Sequence, residues 1–166
     1  IKYRFNLFET RVNNLIDWDS TETGSGATWT EIWTPSNVGR ASMRGAELSA
    51  HFNWAQWNVR ASANRILSRN EETGMPLDRR PDNTASLSAA RRFGSHALRV
   101  GVTAASERFE RTGTRRLAGY GRVDLADTIS LGQHWSLRIK IDNLFDKKYT
   151  LATSSGVPFA TPGREF

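Results

Sequence analysis

From Leu137 to Asp142 the chain alternates without a break: Leu137, Ile139 and Ile141 are apolar, and Arg138, Lys140 and Asp142 are charged. Successive side chains leave an extended backbone on opposite sides, so a period of two predicts a β-strand with one oily and one ionic face. The same grammar recurs. Ile1, Tyr3, Phe5 and Leu7 interleave with Lys2, Arg4 and Asn6, and the apolar positions from Ala46 to Trp54 interleave with Glu47, Ser49, His51 and Asn53. Trp57 to Ala63 and Leu98 to Ala104 repeat it. Thr84 to Arg92 matches less well, and Tyr120 to Leu131 fits apart from Asp127, a carboxylate on the apolar phase.

Connections between these segments are alternately short and long. NWAQW (53–57), FGSHA (93–97) and LGQHW (131–135) are tight enough for hairpins, and their centres near Ala55, Ser95 and Gln133 lie 40 and 38 residues apart. The polar stretches 17–37, 69–82, 107–119 and 147–162 are expected as long loops. Together these features predict an all-β fold, an antiparallel up-and-down meander with tight turns at one end and long loops at the other. Outer-membrane barrels have that asymmetry. Trp54, Trp57, Phe93 and Trp135 fall where an interfacial aromatic girdle belongs. A soluble antiparallel sandwich also alternates and stays open as the competing reading.

Composition narrows the choice in part. The 166 residues suit one domain or a piece of a larger one, and the absence of cysteine removes disulfides and thiolate metal sites. A net charge of +6 invites an anionic partner, but the basic residues are scattered and form no arm of the kind that grips nucleic acid. No apolar run reaches the length of a membrane helix, whereas a barrel strand needs only about 9 to 11 residues and keeps mean hydropathy low. No leader precedes Ile1, so the chain is expected to be processed or a fragment.

Five motifs then bear on identity. NVGRASMRGAEL (37–48), LDRRPDN (77–83), GRVDLADTISL (121–131), LRIKIDNLFDKKYT (137–150) and TPGREF (161–166) resemble, in order and spacing, the C-terminal part of TonB-dependent outer-membrane receptors, closest to cobalamin and catecholate-siderophore receptors. RGAE, NLFDKKY and PGRE in combination carry the resemblance, which covers nearly all of residues 1–166. It implies a transmembrane β-barrel of about 22 strands with a plugged lumen, seven to eight of them here. The plug, the early strands and the last strand are expected outside this chain. It further implies import of a scarce ligand, a ferric siderophore or cobalamin, with energy from the TonB–ExbB–ExbD complex reached through the plug. Bacterial outer-membrane lipid and lipopolysaccharide would surround the barrel. No nucleic-acid partner, cofactor, metal or enzymatic activity is implied. A passive porin-like or autotransporter barrel, and a soluble basic β-domain, are the alternatives.

In that setting Leu137, Ile139 and Ile141 meet lipid, and Glu47, Arg60, Arg99, Arg138 and Lys140 face a wet lumen. A Lys or Arg on the lipid face at mid-depth costs about 2 to 4 kcal/mol, so the phase is strongly selected. Asn143 to Asp146 mark the outer exit of a strand and suit a turn. Ligand candidates are aromatic and basic residues near the outer mouth: Trp18, Trp29, Trp33, Arg79, Arg80, Arg115, Arg116 and Tyr120. Rings offer stacking area, and guanidinium groups draw an anionic chelate such as a ferric catecholate. Arg79 and Arg80 have the competing roles of neutralising lipopolysaccharide phosphates or pairing with Glu71 and Glu72, and Trp29 and Trp33 that of packing the loop on itself. His51, His96 and His134 are dispersed and suggest no metal site. ETGSG (22–26) lacks the strand-to-helix context of a phosphate loop and reads as a flexible loop. For Asp127 there are three accounts: a place near the short-turn interface, a neighbouring Arg partner, or a shift of phase.

Overall fold

The computed structural model describes residues 1–23, 30–111, 115–154, 157–159 and 161–166. Eleven strands occur among them: β1 (Lys2–Thr23), β2 (Thr30–Trp54), β3 (Trp57–Asn70), β4 (Asn83–Phe93), β5 (His96–Ala105), β6 (Arg108–Arg111), β7 (Arg115–Leu117), β8 (Tyr120–Ser130), β9 (Ser136–Ile141), β10 (Thr153–Ser154) and β11 (Val157–Pro158). Seven of them form one antiparallel sheet in the order β1-β2-β3-β4-β5-β8-β9, and β6–β7 and β10–β11 are separate small hairpins. The meander is therefore complete, with each long strand beside its neighbour in sequence. Asp142 bridges to Glu165, so the chain returns to the free edge of β9 where an eighth strand was expected to begin.

The tight turns lie where alternation breaks. Trp54 pairs with Trp57 across Ala55 and Gln56, both at positive φ (46° and 68°), the mirror-image turn whose twist matches that of the strands. At the other end the sequence reading needs correction. Residues 17–37, expected as a loop, continue the β1–β2 ladder past a bulge near Asn14 to Thr23↔Thr30. Two aligned antiparallel strands keep bonding while their residues favour extended backbone, and this stretch is rich in Thr and Trp. The weakly alternating Thr84–Arg92 lies inside β4 and is laddered on both sides. Its small Ser and Ala residues signal little by themselves, and the flanking strands impose the conformation.

Register sorts the side chains into two faces. Tyr3, Ala50, Ala61, Leu87, Val102 and Val123 line up in one row of the apolar face. Arg4, Ser49, Ser62, Ser86, Thr103 and Arg122 form the adjacent row of the polar face. No second layer covers the apolar face among the described residues: Leu87 is 47% exposed, Leu137 48% and Ile139 47%. A soluble sandwich would bury that face against another sheet. The buried apolar residues, Ala41, Val59, Leu77 and Leu117, are few and do not build such a core.

Asp127 keeps its phase. It stands between Leu98 and Ile139 in register near the short-turn end, and its Oδ2 lies 2.6 Å from His96 Nδ1, so its partner is a histidine and not an arginine. Further cations, Arg11, Arg44, Arg65, Arg69 and Arg91, share the apolar face, and alternation alone does not single them out. Arg91 lies over the Phe93 ring at 4.5 Å near the short turns, and Arg65 sits in register between Ala46 and Asn83 toward the long loops. Gly45 of the RGAE motif also gains a reason. A Cβ there would fall 2.6 Å from the Arg65 carbonyl oxygen and 2.9 Å from the Phe8 ring, so the bare backbone makes room for a cross-strand aromatic.

Candidate functional site

At the long-loop end three segments distant in sequence are tied together by Glu110. This residue of β6 is buried, and its Oε1 accepts hydrogen bonds from Arg79 Nε (3.1 Å), Arg79 Nη2 (2.9 Å) and the Thr153 backbone N–H (2.8 Å). Arg79 adopts a φ of 59°, and its own N–H donates to the Phe109 carbonyl at 2.6 Å. Nearby, buried Arg108 donates to the carbonyls of Thr150 (2.6 Å) and Leu151 (3.4 Å) and lies 5.8 Å from the centre of the Tyr120 ring. Tyr120 stacks on Tyr149 with centroids 4.2 Å apart. The segments 71–82, 106–119 and 147–162 are thus joined by charge-assisted bonds to one carboxylate and by carbonyls around one guanidinium. Glu110 Oε2 is buried with no hydrogen-bond partner among the described residues.

Below this mouth the polar face of the sheet is basic. Eight cations, Lys2, Arg4, Arg60, Arg92, Arg99, Arg122, Arg138 and Lys140, share it with Glu47, Asp124 and Asp142. Arg122 pairs with Asp124 at 3.3 Å and Lys140 with Asp142. The other six cations have no carboxylate within ion-pairing distance among the described residues. Two concave regions of this face, of about 840 Å³ and 610 Å³, are lined respectively by Lys2, Arg4 and Arg60 and by Arg92, Arg99 and Arg138. Such a surface attracts anions and offers hydroxyl hydrogen bonds from Ser49, Ser62, Ser86 and Thr103.

The residues singled out from the sequence are distributed unevenly. Glu47, Arg60, Arg99, Arg138 and Lys140 occupy the same face of the sheet. Arg79 is joined to Glu110, not to Glu71 or Glu72, and Arg80 Nη1 lies 2.9 Å from Met43 Sδ. Arg116 pairs with Glu107 and covers the Phe109 ring at 4.8 Å, while Arg115 is exposed on β7. Trp29 lies outside the described residues. The backbone at Trp18 and Trp33 belongs to the β1–β2 extension. Local spacing does not announce Glu110, Arg108, Tyr149 and Thr153, which are held by partners 29 to 74 residues away in sequence.

The NLFD segment is a turn, as anticipated, but it leaves the sheet at mid-height. Asn143 N–H donates to Asp124 Oδ1 (2.9 Å), and its buried side chain exchanges hydrogen bonds with the Lys147 N–H (2.9 Å) and carbonyl (3.0 Å). Asp146 Oδ1 then accepts from Lys148 Nζ and the Arg164 N–H, both at 3.0 Å. Gly163 of PGRE presses against that oxygen: an added Cβ would stand 2.6 Å from it.

Comparison with known proteins gives consistent results. Residues 2–144 match the family described as TonB dependent receptor-like, beta-barrel. The chain is 28% identical over 159 residues to the vitamin B12 transporter BtuB of Vibrio vulnificus (strain YJ016), covering 94% of this chain and 24% of that protein. Among solved structures, the copper transporter OprC aligns with a TM-score of 0.80 at 21% identity, over 98% of this chain and 27% of the other. The siderophore receptor PiuA from Acinetobacter baumannii aligns with a TM-score of 0.71 at 19% identity, over 98% and 24%. These two share the fold with this chain, which spans about a quarter of the length of each protein it matches.

Proposed function

The chain belongs to the TonB-dependent receptor β-barrel family, and from that premise we propose that it is wall and outer mouth of an outer-membrane receptor importing an anionic metal chelate of the ferric-siderophore class. In this reading the apolar face meets lipid and the basic face lines the lumen. A plug domain outside this chain occludes the passage and is moved by the TonB–ExbB–ExbD complex. The observation that carries the choice of ligand is the set of six cations on the polar face that have no carboxylate partner among the described residues. Unpaired guanidinium groups in a narrow passage raise the local concentration of anions and would favour a negatively charged chelate over a neutral corrinoid. Cobalamin is the second reading, supported by the 28% identity to a vitamin B12 transporter.

The test compares uptake of a radiolabelled ferric catecholate and of cobalamin by cells that express the full-length receptor. Replacing Arg60, Arg99 and Arg138 together by Gln is expected to lower chelate uptake roughly tenfold at low ionic strength, and by less as salt screens the field. Receptor-dependent growth on cobalamin but on no iron chelate would overturn the proposal.

A further inference from the structure

We infer that the lower lumen wall holds a second station for the transported anion, a socket of three guanidinium groups beside the short turns, separate from the loop cluster at the mouth. The inference rests on the import of an anionic chelate proposed above. Register shows how the sheet builds the socket. In one row of the polar face Ala90, Arg99, Ala126 and Lys140 stand side by side, and the next row toward the short turns holds Arg92, Ala97, Thr128 and Arg138. Each arginine thus has small neighbours across the ladder: Arg99 lies between Ala90 and Ala126, Arg92 beside Ala97, and Arg138 beside Thr128. The small side chains form a floor between the cations, and the hollow over it measures about 610 Å³. None of the three arginines has a carboxylate within ion-pairing distance among the described residues, whereas Lys140 at the margin is held by Asp142.

Higher on the same face, polar groups satisfy one another. Asn6 donates to Glu47 at 3.4 Å, Asn64 donates to Thr84 at 3.2 Å, the Ser62 and Ser86 hydroxyls lie 2.8 Å apart, and Arg122 pairs with Asp124. On the polar face of β4, β5, β8 and β9, positive charge without a carboxylate partner is therefore confined to the two rows nearest the short turns. Paired charges cancel and unpaired ones add, so an anion moving down this wall meets a rising positive potential. Strands about 4.8 Å apart and rows about 6.6 Å apart spread the three guanidinium groups over roughly 14 by 7 Å. One phosphate or carboxylate engages one such group bidentately, and engaging all three takes a ligand with several anionic groups on its surface, as a polyanionic metal chelate has. Thr128 lies eight residues along β8 from Tyr120 at the mouth, which sets the socket about 26 Å along the strand from the stacked tyrosines. A ligand that fills the hollow spans on the order of 10 Å and cannot touch both places. The two therefore act in succession: the mouth captures, and the socket draws the anion toward the short-turn exit.

The experiment uses cells that express the full-length receptor, a radiolabelled ferric tris-catecholate as probe, and uptake normalised to receptor in the outer membrane. Arg92→Gln/Arg138→Gln is expected to lower uptake by energised cells roughly fivefold and binding to de-energised cells less than about twofold. Arg92→Lys/Arg138→Lys keeps the charge but loses the planar fork, and is expected to recover about half of the lost uptake. The deficit of the Gln variant should shrink as salt rises. Uptake unchanged by the Gln pair overturns the socket. Binding that falls in step with uptake does the same, because these arginines would then belong to the capture site at the mouth. So does a Gln variant that sensitises cells to a bulky antibiotic normally kept out by the outer membrane, because the arginines would then seat a part of the protein that closes the barrel. Should the double Gln variant not reach the outer membrane, Arg92→Gln and Arg138→Gln carry the test singly, each expected to lower uptake roughly twofold. A receptor that imports no ferric chelate sinks the ligand reading and the socket with it, whereas one that imports it regardless of Arg92 and Arg138 sinks the socket alone.

Discussion

The sheet and the loop cluster above it are stabilised in opposite ways. In the sheet, stability comes from many equivalent ladder bonds and from side chains sorted by face, so most positions are interchangeable within their face. In the loop cluster it comes from a few side chains, chiefly Glu110 and Arg108, each holding segments that sequence places far apart. A change in the sheet should therefore matter by its direction, and a change in the cluster by its identity.

The largest expected effect tests the sheet. Leu87→Arg sets a charge in the middle of the apolar face, in the row with Tyr3, Ala50, Ala61 and Val102, and should cost about 2 to 4 kcal/mol of barrel stability. Arg138→Ala on the opposite face should cost little, because it removes no ion pair found among the described residues. Urea titration of folded receptor in bilayers, read by heat-modifiable electrophoretic mobility, measures both. Equal losses would contradict the sorting of faces. Ile139→Arg is the milder of the outward substitutions, since Asp127 stands opposite it in register and can receive the new charge.

An intermediate effect is expected in the cluster. Glu110→Ala leaves the Thr153 N–H without its acceptor and the Arg79 guanidinium with only the Thr153 carbonyl at 3.3 Å, a loss of about 2 kcal/mol in local ordering. The cost stays moderate for two reasons. The Arg79 side chain is 58% exposed and regains water, and Glu110 Oε2 is already buried without a partner. Amide hydrogen exchange should quicken at Arg79 and Thr153 and stay unchanged in β4 and β5. Quickened exchange throughout the sheet would mean that the two regions are not separately stabilised.

The same contrast decides what was legible in the sequence. Strand direction, facing and hairpin sites follow from a two-residue period, which is a local property, and Leu137, Ile139 and Ile141 announced their face unaided. Residues 17–37 resemble a loop by their polarity, whereas an existing ladder can carry polar strands onward into water. Asp127 looked anomalous because its partner His96 lies 31 residues away. Arg79, proposed for ligand contact, is engaged by a Glu110 that no spacing rule connects to it. The pairing of distant loop residues depends on how the chain returns over the sheet, and that information is spread over the whole fold.

The smallest expected effect compares one glycine from each region. Ala at Gly45 would place its Cβ 2.6 Å from a backbone carbonyl, that of Arg65, and the ladder cannot yield without losing register. Overpacking of that kind costs roughly 2 kcal/mol, and the lower unfolded-state entropy of Ala returns about 0.5 to 1 kcal/mol, leaving a net loss near 1 kcal/mol. Ala at Gly163 meets the same nominal distance of 2.6 Å, but the atom it meets is Asp146 Oδ1, at the end of a side chain that can rotate. There the strain and the entropy gain nearly cancel, so Gly163→Ala should be close to neutral in the same urea titration. A Gly163→Ala loss as large as that of Gly45→Ala would show that the Asp146 carboxylate, with its bonds to Lys148 and Arg164, is held as rigidly as the sheet backbone.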